Sequence, residues 1–211
     1  MNRGVIKIRK SIPSDVYGIR EVQREAWLKT YPNKEAGITI KDIEEVFEND
    51  NTSHAREGFE KRKERYKDKN IGIWVAEDGS RIIGFCTAVI EENCNRIVAI
   101  YVTPDYQKKG IGGLLIKKAF FWLGDKKDIF VNAVSYNQRA IGFYNRFGFE
   151  KTGRAGIFDK AARLPSGKTM PEIEMIKKSV LSTRPSFASP EPAGVGGLRS
   201  DELRQGKARR R

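Results

Sequence analysis

The residues best suited to chemistry lie in one run, Ile100-Tyr101-Val102-Thr103-Pro104-Asp105-Tyr106-Gln107-Lys108-Lys109-Gly110-Ile111-Gly112-Gly113. An apolar, strand-like segment stops at Pro104, and a glycine-rich loop opens directly into a helical pattern. At such a junction the first helical N–H groups have no intrahelical partner, and the helix dipole turns its positive end outward. Gly110, Gly112 and Gly113 carry no Cβ, so a bulky anion can reach the backbone. Lys108 and Lys109 add positive charge. The chemistry this suits is phosphate or pyrophosphate binding. It is not a Walker A loop, because Leu114 and Leu115 stand where Lys-Ser/Thr would follow, and it lacks the Gly-x-Gly-x-x-Gly of a dinucleotide site. Taken alone, Gly-x-Gly-Gly is equally compatible with a tight strand–helix turn.

Other chemistries are poorly supplied. The chain has one His (His54) and two Cys (Cys86 and Cys94), too few for a structural zinc site or a disulfide scaffold. A Ser-His-Asp or Cys-His mechanism would rest on His54 alone, inside a strongly charged stretch. No metal is expected. The 211 residues include 11 Phe, 7 Tyr and 3 Trp, enough to fill the core of one domain. No stretch approaches the ~18 unbroken apolar residues of a membrane helix. Residues 1–10 contain no signal-peptide core. The expectation is therefore a cytoplasmic protein with reduced cysteines and no membrane partner.

The formal charge is +13, of which residues 179–211 carry +4. A diffuse excess fits general surface chemistry, and a polyphosphorylated ligand would also favour it. A nucleic-acid partner would need a clustered basic face with stacking aromatics, which the linear sequence does not display. It stays as an alternative.

Several elements must position the loop. Val5–Arg9 alternates apolar and basic residues and predicts a short edge strand. Ser14, after Pro13, is the expected cap of a helix carrying Val16, Ile19, Val22, Ala26 and Trp27. Pro32 and Gly37 break it, and Thr39 or Lys41 reopens a helix through Ile43, Val46 and Phe47. Residues 54–69 read as an exposed charged helix. Ile71–Ala76 and Arg81–Ile90 predict a hairpin around Gly79-Ser80. Arg96–Val102 predicts a central strand, with Ile97, Ala99 and Tyr101 on one face and Val98, Ile100 and Val102 on the other. The glycine loop then opens a helix bearing Ile111, Leu115, Ala119 and Trp122. Ile129–Val134 is a further strand. Asn137 is the expected cap of a helix with Ala140, Ile141, Tyr144 and Phe147, and two closing strands follow. The class is mixed α/β (α+β), with a mostly antiparallel sheet flanked by helices. Residues 1–178 form the expected domain. Residues 179–211, rich in Pro, Gly and Arg, read as a disordered tail.

Two motifs in this order resemble a known family. Gln107-Lys108-Lys109-Gly110-Ile111-Gly112 matches the Gln/Arg-x-x-Gly-x-Gly/Ala signature of the GCN5-related N-acetyltransferases (GNAT). Asn137-Gln138-Arg139-Ala140-Ile141-Gly142-Phe143-Tyr144-Asn145-Arg146-Phe147-Gly148-Phe149 is similar to that family's Asn-x-x-Ala-x-x-Phe-Tyr-x-x-x-Gly-Phe. The likeness spans about Val5–Lys178.

The resemblance implies a splayed central strand pair and acetyl-CoA as cosubstrate. Gln107, Lys108, Lys109, Gly110, Ile111, Gly112 and Gly113 would cradle its pyrophosphate, chiefly through main-chain N–H groups. Ile100 and Val102 would pair their backbones with the pantetheine arm, and Asn137 would contact that arm besides capping its helix. Tyr144, which by spacing alone is a packing aromatic, becomes by motif the proton donor to the CoA thiolate. An acid often stands on the family's central strand as general base. This chain has Asn95 and Arg96 there, with Glu91 and Glu92 nearby, and the base stays unassigned. Trp27 and Tyr31 read as core or hinge residues near the acceptor site, and residues 154–170 as another wall. The implied activity is acetyl transfer to a primary amine: a protein N-terminus, a lysine or a small molecule. The basic charge favours a neutral or acidic acceptor over a polyamine. The rival readings are a silent CoA-binding regulatory domain and an acetyltransferase or binding module directed at RNA. Both a monomer and a homodimer are compatible with the sequence.

Overall fold

The apolar periodicities become seven strands and five α-helices in the computed structural model, which describes residues 5–51 and 55–181. The strands are β1 (Lys7–Lys10), β2 (Ile71–Asp78), β3 (Arg81–Ile90), β4 (Asn95–Val102), β5 (Ile129–Val134), β6 (Glu150–Gly156) and β7 (Glu172–Lys177). The helices are α1 (Val16–Thr30), α2 (Ile40–Glu44), α3 (Ala55–Glu64), α4 (Ile111–Leu123) and α5 (Gln138–Asn145). One sheet runs β1-β2-β3-β4-β5-β7-β6. Each neighbouring pair is antiparallel except β4–β5, which is parallel. The expected mixed α/β class holds. His54 and residues 182–211 of the expected tail lie outside the described residues.

Helices cover both faces. On one, α4 inserts Ile111, Leu115, Ile116, Ala119 and Leu123 against Ala76, Ile83, Cys86, Ile97 and Val131, and α5 adds Ile141 and Tyr144. Trp122, expected on that face, is only partly buried and meets Trp74 edge-on. On the other face, Val22 of α1 packs on Val75 and Phe85. Trp27, Tyr31, Ile43 and Phe47 join Val134, Leu164 and Met170 in a second cluster. Of the alternative starts for α2, Thr39 is the cap. Its Oγ1 accepts from Asp42 N (3.2 Å), and its N–H donates to Asp42 Oδ2 (2.7 Å). α3 carries the i,i+4 and i,i+3 ion pairs Glu57–Lys61 and Glu60–Lys63, and Phe59 anchors it on Tyr17.

Two expectations are corrected. Ser14 is exposed and caps nothing. Instead a 3-10 turn, Pro13–Asp15, precedes α1, and Asp15 Oδ2 accepts from Ile12 N (2.8 Å). The faces of β4 also differ from simple alternation. The β3–β4 register slips between Thr87 and Ala88, leaving Val98 as the extra residue of a β-bulge. Ile97 therefore shares the α4 side with Ile100 and Val102, while Ala99 and Tyr101 face α1. Val98, expected in the sheet interior, is 38% exposed.

Asp15 also ties β1 to the domain. Its two oxygens accept from Arg9 Nη1 (2.6 Å) and Nη2 (2.9 Å), while Arg9 Nε donates to Glu77 of β2 (2.6 Å). Burial raises the Asp15 pKa, but Arg9, the Ile12 amide and Ser11 outweigh it and hold the carboxyl below its ordinary value. Asp15→Asn should cost about 2–4 kcal/mol of stability, read by chemical denaturation, because it leaves Arg9 half-paired. The depressed pKa means Asp15 stabilises the fold above about pH 4 and ceases to do so as pH falls through the folded value.

Candidate functional site

A parallel strand pair that separates creates the site. The β4–β5 ladder covers only Asn95–Ile97 against Ile129–Val131, while β4 stays paired to β3 as far as Val102. Thr103 N–H donates to Ile83 O of β3 (2.9 Å). Successive backbone groups of a strand alternate sides, so those of Ile100 and Val102 turn away from β3 into the gap. A cavity of about 600 Å³ fills this gap. Residues 98–102 and 132–134 form its strand walls, the glycine loop closes one end, and α5 forms another wall.

The glycine loop meets the cavity with main chain. Gly110, at φ +82°, is the N-cap of α4, and the first helical bond is Leu114 N–H to Gly110 O (3.1 Å). The N–H groups of Ile111, Gly112 and Gly113 are thus left without intrahelical acceptors at the cavity wall. Lys108 also lines it, at the unusual φ of +62°. A Cβ on Gly112 would stand 3.3 Å from the Phe143 ring, so α5 sits tightly on the first turn of α4.

The other expected residues divide. Asn137 lines the cavity and caps α5, its Oδ1 accepting from Ala140 N (3.1 Å). Lys109 is not at the wall; its ammonium rests over the Tyr106 ring, 4.5 Å from the centroid. Gln107 lines the wall as a brace: its Nε2 donates to Val102 O (2.9 Å), and its Oε1 accepts from Arg139 of α5. Val102 therefore offers its N–H, while its carbonyl is already engaged.

Tyr144 lines the cavity and is 6% exposed, packed on Phe143 and Phe149. Its hydroxyl makes no hydrogen bond among the described residues. Burial, reinforced by Tyr101 and Cys86, pushes its pKa well above the usual 10. The phenol stays protonated throughout the neutral range.

Three further residues emerge. Asn132 lines the cavity with Oδ1 buried and without a partner among the described residues. Its signal in the sequence is a lone amide within Ile-Phe-Val-Asn-Ala-Val. Tyr31 and Tyr101 also line it, joined hydroxyl to hydroxyl at 3.0 Å. Among the described residues no carboxylate lines this cavity. Glu91 sits at the opposite end of β4, engaged by Cys94 (3.0 Å) and Arg96 (3.4 Å). Asn95 is buried with its Nδ2 on Leu123 O (3.1 Å), so neither meets the reacting end. A smaller cavity, about 260 Å³, shares Val98, Ala99 and Tyr101 with the first and includes Trp27 in its wall.

The large cavity offers an anion cradle at one end. Along its length lie a strand edge lacking a partner and an orphaned amide oxygen. These features fit an elongated ligand with phosphates at one end and an arm of amide groups.

The acetyltransferase (GNAT) family model matches residues 38–149. The peptidyl-lysine N-acetyltransferase YjaB of Salmonella typhimurium is 31% identical over 94 residues, 44% of this chain and 60% of that protein. The chain thus spans about 60% of the length of this relative. The spermidine N(1)-acetyltransferase of Thermoplasma acidophilum is 29% identical over 153 residues, 69% of this chain and 88% of that protein. The crystal structure of PaiA N-acetyltransferase from Thermoplasma acidophilum in complex with coenzyme A superposes with a TM-score of 0.60 at 25% identity. That likeness covers 82% of this chain and 99% of the other.

Proposed function

This chain belongs to the acetyltransferase (GNAT) family, and from that premise we propose that it transfers an acetyl group from acetyl-CoA directly to a primary amine. The observation that carries the reading is that Tyr144, a buried phenol whose hydroxyl makes no hydrogen bond among the described residues, lines the cavity that the glycine loop closes. When bound, acetyl-CoA supplies the activated acyl group. The main-chain N–H groups of residues 111–113 hold the pyrophosphate, aided by Lys108. The backbones of Ile100 and Val102, with Asn137 and Asn132 Oδ1, hold the pantetheine arm. A β4 amide in the gap is placed to stabilise negative charge on the acyl oxygen.

In the transfer, nitrogen gains the acetyl carbon and the carbon–sulfur bond breaks. The nitrogen loses a proton, and sulfur gains one. Tyr144 donates that proton or a hydrogen bond to the sulfur. The amine takes up its lone pair by losing its proton to water, since no carboxylate of the described residues faces the large cavity. The proposed setting is the cytoplasm, where acetyl-CoA is available.

Release of the CoA thiol, measured across peptide N-termini, lysine peptides, small amines, polyamines and aminoacyl-tRNA, tests the reading. Turnover of one class identifies the acceptor. Saturable acetyl-CoA binding with no turnover would favour the regulatory alternative. The raised pKa of Tyr144 also predicts a pH profile: initial rates climb as the amine deprotonates and show no descending limb up to about pH 10. A fall centred below that value would assign a titrating donor other than Tyr144.

A further inference from the structure

The large cavity passes through the sheet. Tyr144 reaches it from the α4 side, while Tyr31 and Tyr101 line it from the α1 side. The walls that α1, β4 and β5 contribute carry no charge. Among the described residues, the charged groups that line the cavity are Lys108, Arg139 and Arg146, all cations, from the glycine loop, α5 and its C-cap.

The Tyr31 and Tyr101 hydroxyls meet on the uncharged side, 3.0 Å apart. Both rings are fixed. Tyr31 is 7% exposed and stands edge-on to Trp27, 5.2 Å between centroids, and its carbonyl accepts from the Tyr136 hydroxyl (2.9 Å). Tyr101 packs on Phe85, 5.6 Å between centroids. Burial raises the Tyr101 pKa, and the Tyr31 hydroxyl and Trp27 N–H, which face its oxygen, oppose the rise. Asp159 and Glu172 add to it through space. The Glu172 carboxylate is held by the N–H groups of Phe158 (2.9 Å) and Asp159 (2.8 Å), and neither acid lines the large cavity. Burial and Tyr101 push the Tyr31 pKa up as well. Both phenols are therefore neutral at physiological pH. Whichever of the two donates to the other, one O–H is left undonated among the described residues, and the Tyr31 oxygen keeps room to accept an N–H.

We propose that the Tyr31–Tyr101 hydroxyl pair seats the acceptor nitrogen, and that the enzyme selects an α-amine, arriving as the free base, over the more basic amines of lysine side chains and polyamines. The inference rests on the transferase reading and narrows its acceptor class. An N–H of the amine donates to the Tyr31 oxygen while the nitrogen lone pair points at the acyl carbon. An ammonium has no such lone pair, and carrying its charge between uncharged walls toward three cations is costly. Neutral phenols do not take its proton, so that proton goes to bulk water before entry. At about pH 7.5 roughly a third of a peptide α-amine is neutral, against roughly one in eight hundred of a lysine side chain. The stronger nucleophilicity of the more basic amine offsets part of this advantage. The second proton, shed by nitrogen as the amide forms, balances the one that sulfur gains.

The test uses the full chain and matched acceptors at about pH 7.5. A peptide with a free N-terminus and a blocked lysine is set against the same peptide with the blocks exchanged. Spermidine is included, and alaninamide separates a small molecule from a protein terminus as the source of the α-amine. The expected kcat/KM preference for the α-amine is about tenfold or more. The ascending limb of each pH profile should follow the pKa of the amine used. Tyr31→Phe and Tyr101→Phe should each raise the KM for the amine about tenfold, with the Kd for acetyl-CoA within about threefold. The double variant should be little worse than the poorer single one, because the two hydroxyls act as one seat.

Preferred turnover of the lysine peptide or of spermidine overturns the inference and leaves the transferase reading intact. So does an ascending limb at the same pH for every amine, or a parental amine KM in both tyrosine variants. No turnover of any amine, with acetyl-CoA still bound, overturns the transferase reading and this inference with it.

Discussion

Tyr144→Phe should lower kcat for CoA thiol release about a hundredfold while leaving the Kd for acetyl-CoA within about threefold. The size follows from the role. A donor to a leaving group acts on the transition state, so its loss appears in kcat and kcat/KM together rather than in binding. The fold should not suffer. The ring packs on Phe143 and Phe149, which phenylalanine at position 144 can still do. The hydroxyl has no partner among the described residues to lose, and removing a buried, unbonded polar group costs little stability. Thermal melting should therefore change little. A variant with kcat within about threefold of the parent would sink the proton-donor assignment and leave Tyr144 as a packing aromatic.

Gly110→Val should raise the Kd for acetyl-CoA by at least about tenfold, whereas Lys108→Ala should raise it by no more than about threefold. The contrast tests whether main chain or side chain makes the anion site. Gly110 stands at φ +82°, with open space where a Cβ would go, so the obstacle is conformational rather than steric. A β-branched residue forced into that region costs on the order of 1–2 kcal/mol or more, and the loop relieves the strain by turning the cap. The N–H groups of residues 111–113 then lose their common direction. Gly112→Leu should act by another route, because its Cβ meets Phe143 at 3.3 Å and must push α5 from α4. Lys108→Ala keeps the backbone amide and removes one solvated charge, which salt screens. Calorimetry with acetyl-CoA, beside thermal melts, reads all three. A Lys108→Ala loss exceeding that of Gly110→Val would move the site from the backbone to the lysine.

Much of this arrangement could be read along the chain because its signals are local. The glycine loop after Pro104, the Asn137 cap and the apolar period of α4 each depend on residues a few positions apart. The same holds for the hairpin at Gly79. The two motifs that placed Tyr144 beside the loop are also short runs. Where local signals competed, the structure decided. Ser14 is a residue type that caps helices, yet the start of α1 carries no side-chain cap: the Asp15 carboxylate is taken by Arg9, Ser11 and the Ile12 amide, on the preceding strand and its exit. Gln107 and Lys109 matched a signature. Gln107 is drawn into a brace by Val102 and Arg139, and Lys109 is held over Tyr106.

The sequence by itself determined the elements, the Asn137 cap and the free N–H groups at the glycine loop, since helix and strand periods and N–H exposure follow from neighbouring residues. Tertiary structure alone decided where β4 leaves β5, which residue bulges, and what faces the resulting gap. The slip at Thr87–Ala88 is a relation between two strands, and it overturned the simple alternation that had put Ile97 with Ala99. Asn132 became a site residue because β5 runs on past the last β4 pair. The smaller cavity joins α1, α3 and the turn after it, β2, β3, β4 and the β6–β7 connection, regions whose proximity no local pattern encodes. Local propensities set what each segment is, and burial of their apolar faces against one another sets which polar groups are left facing a shared space.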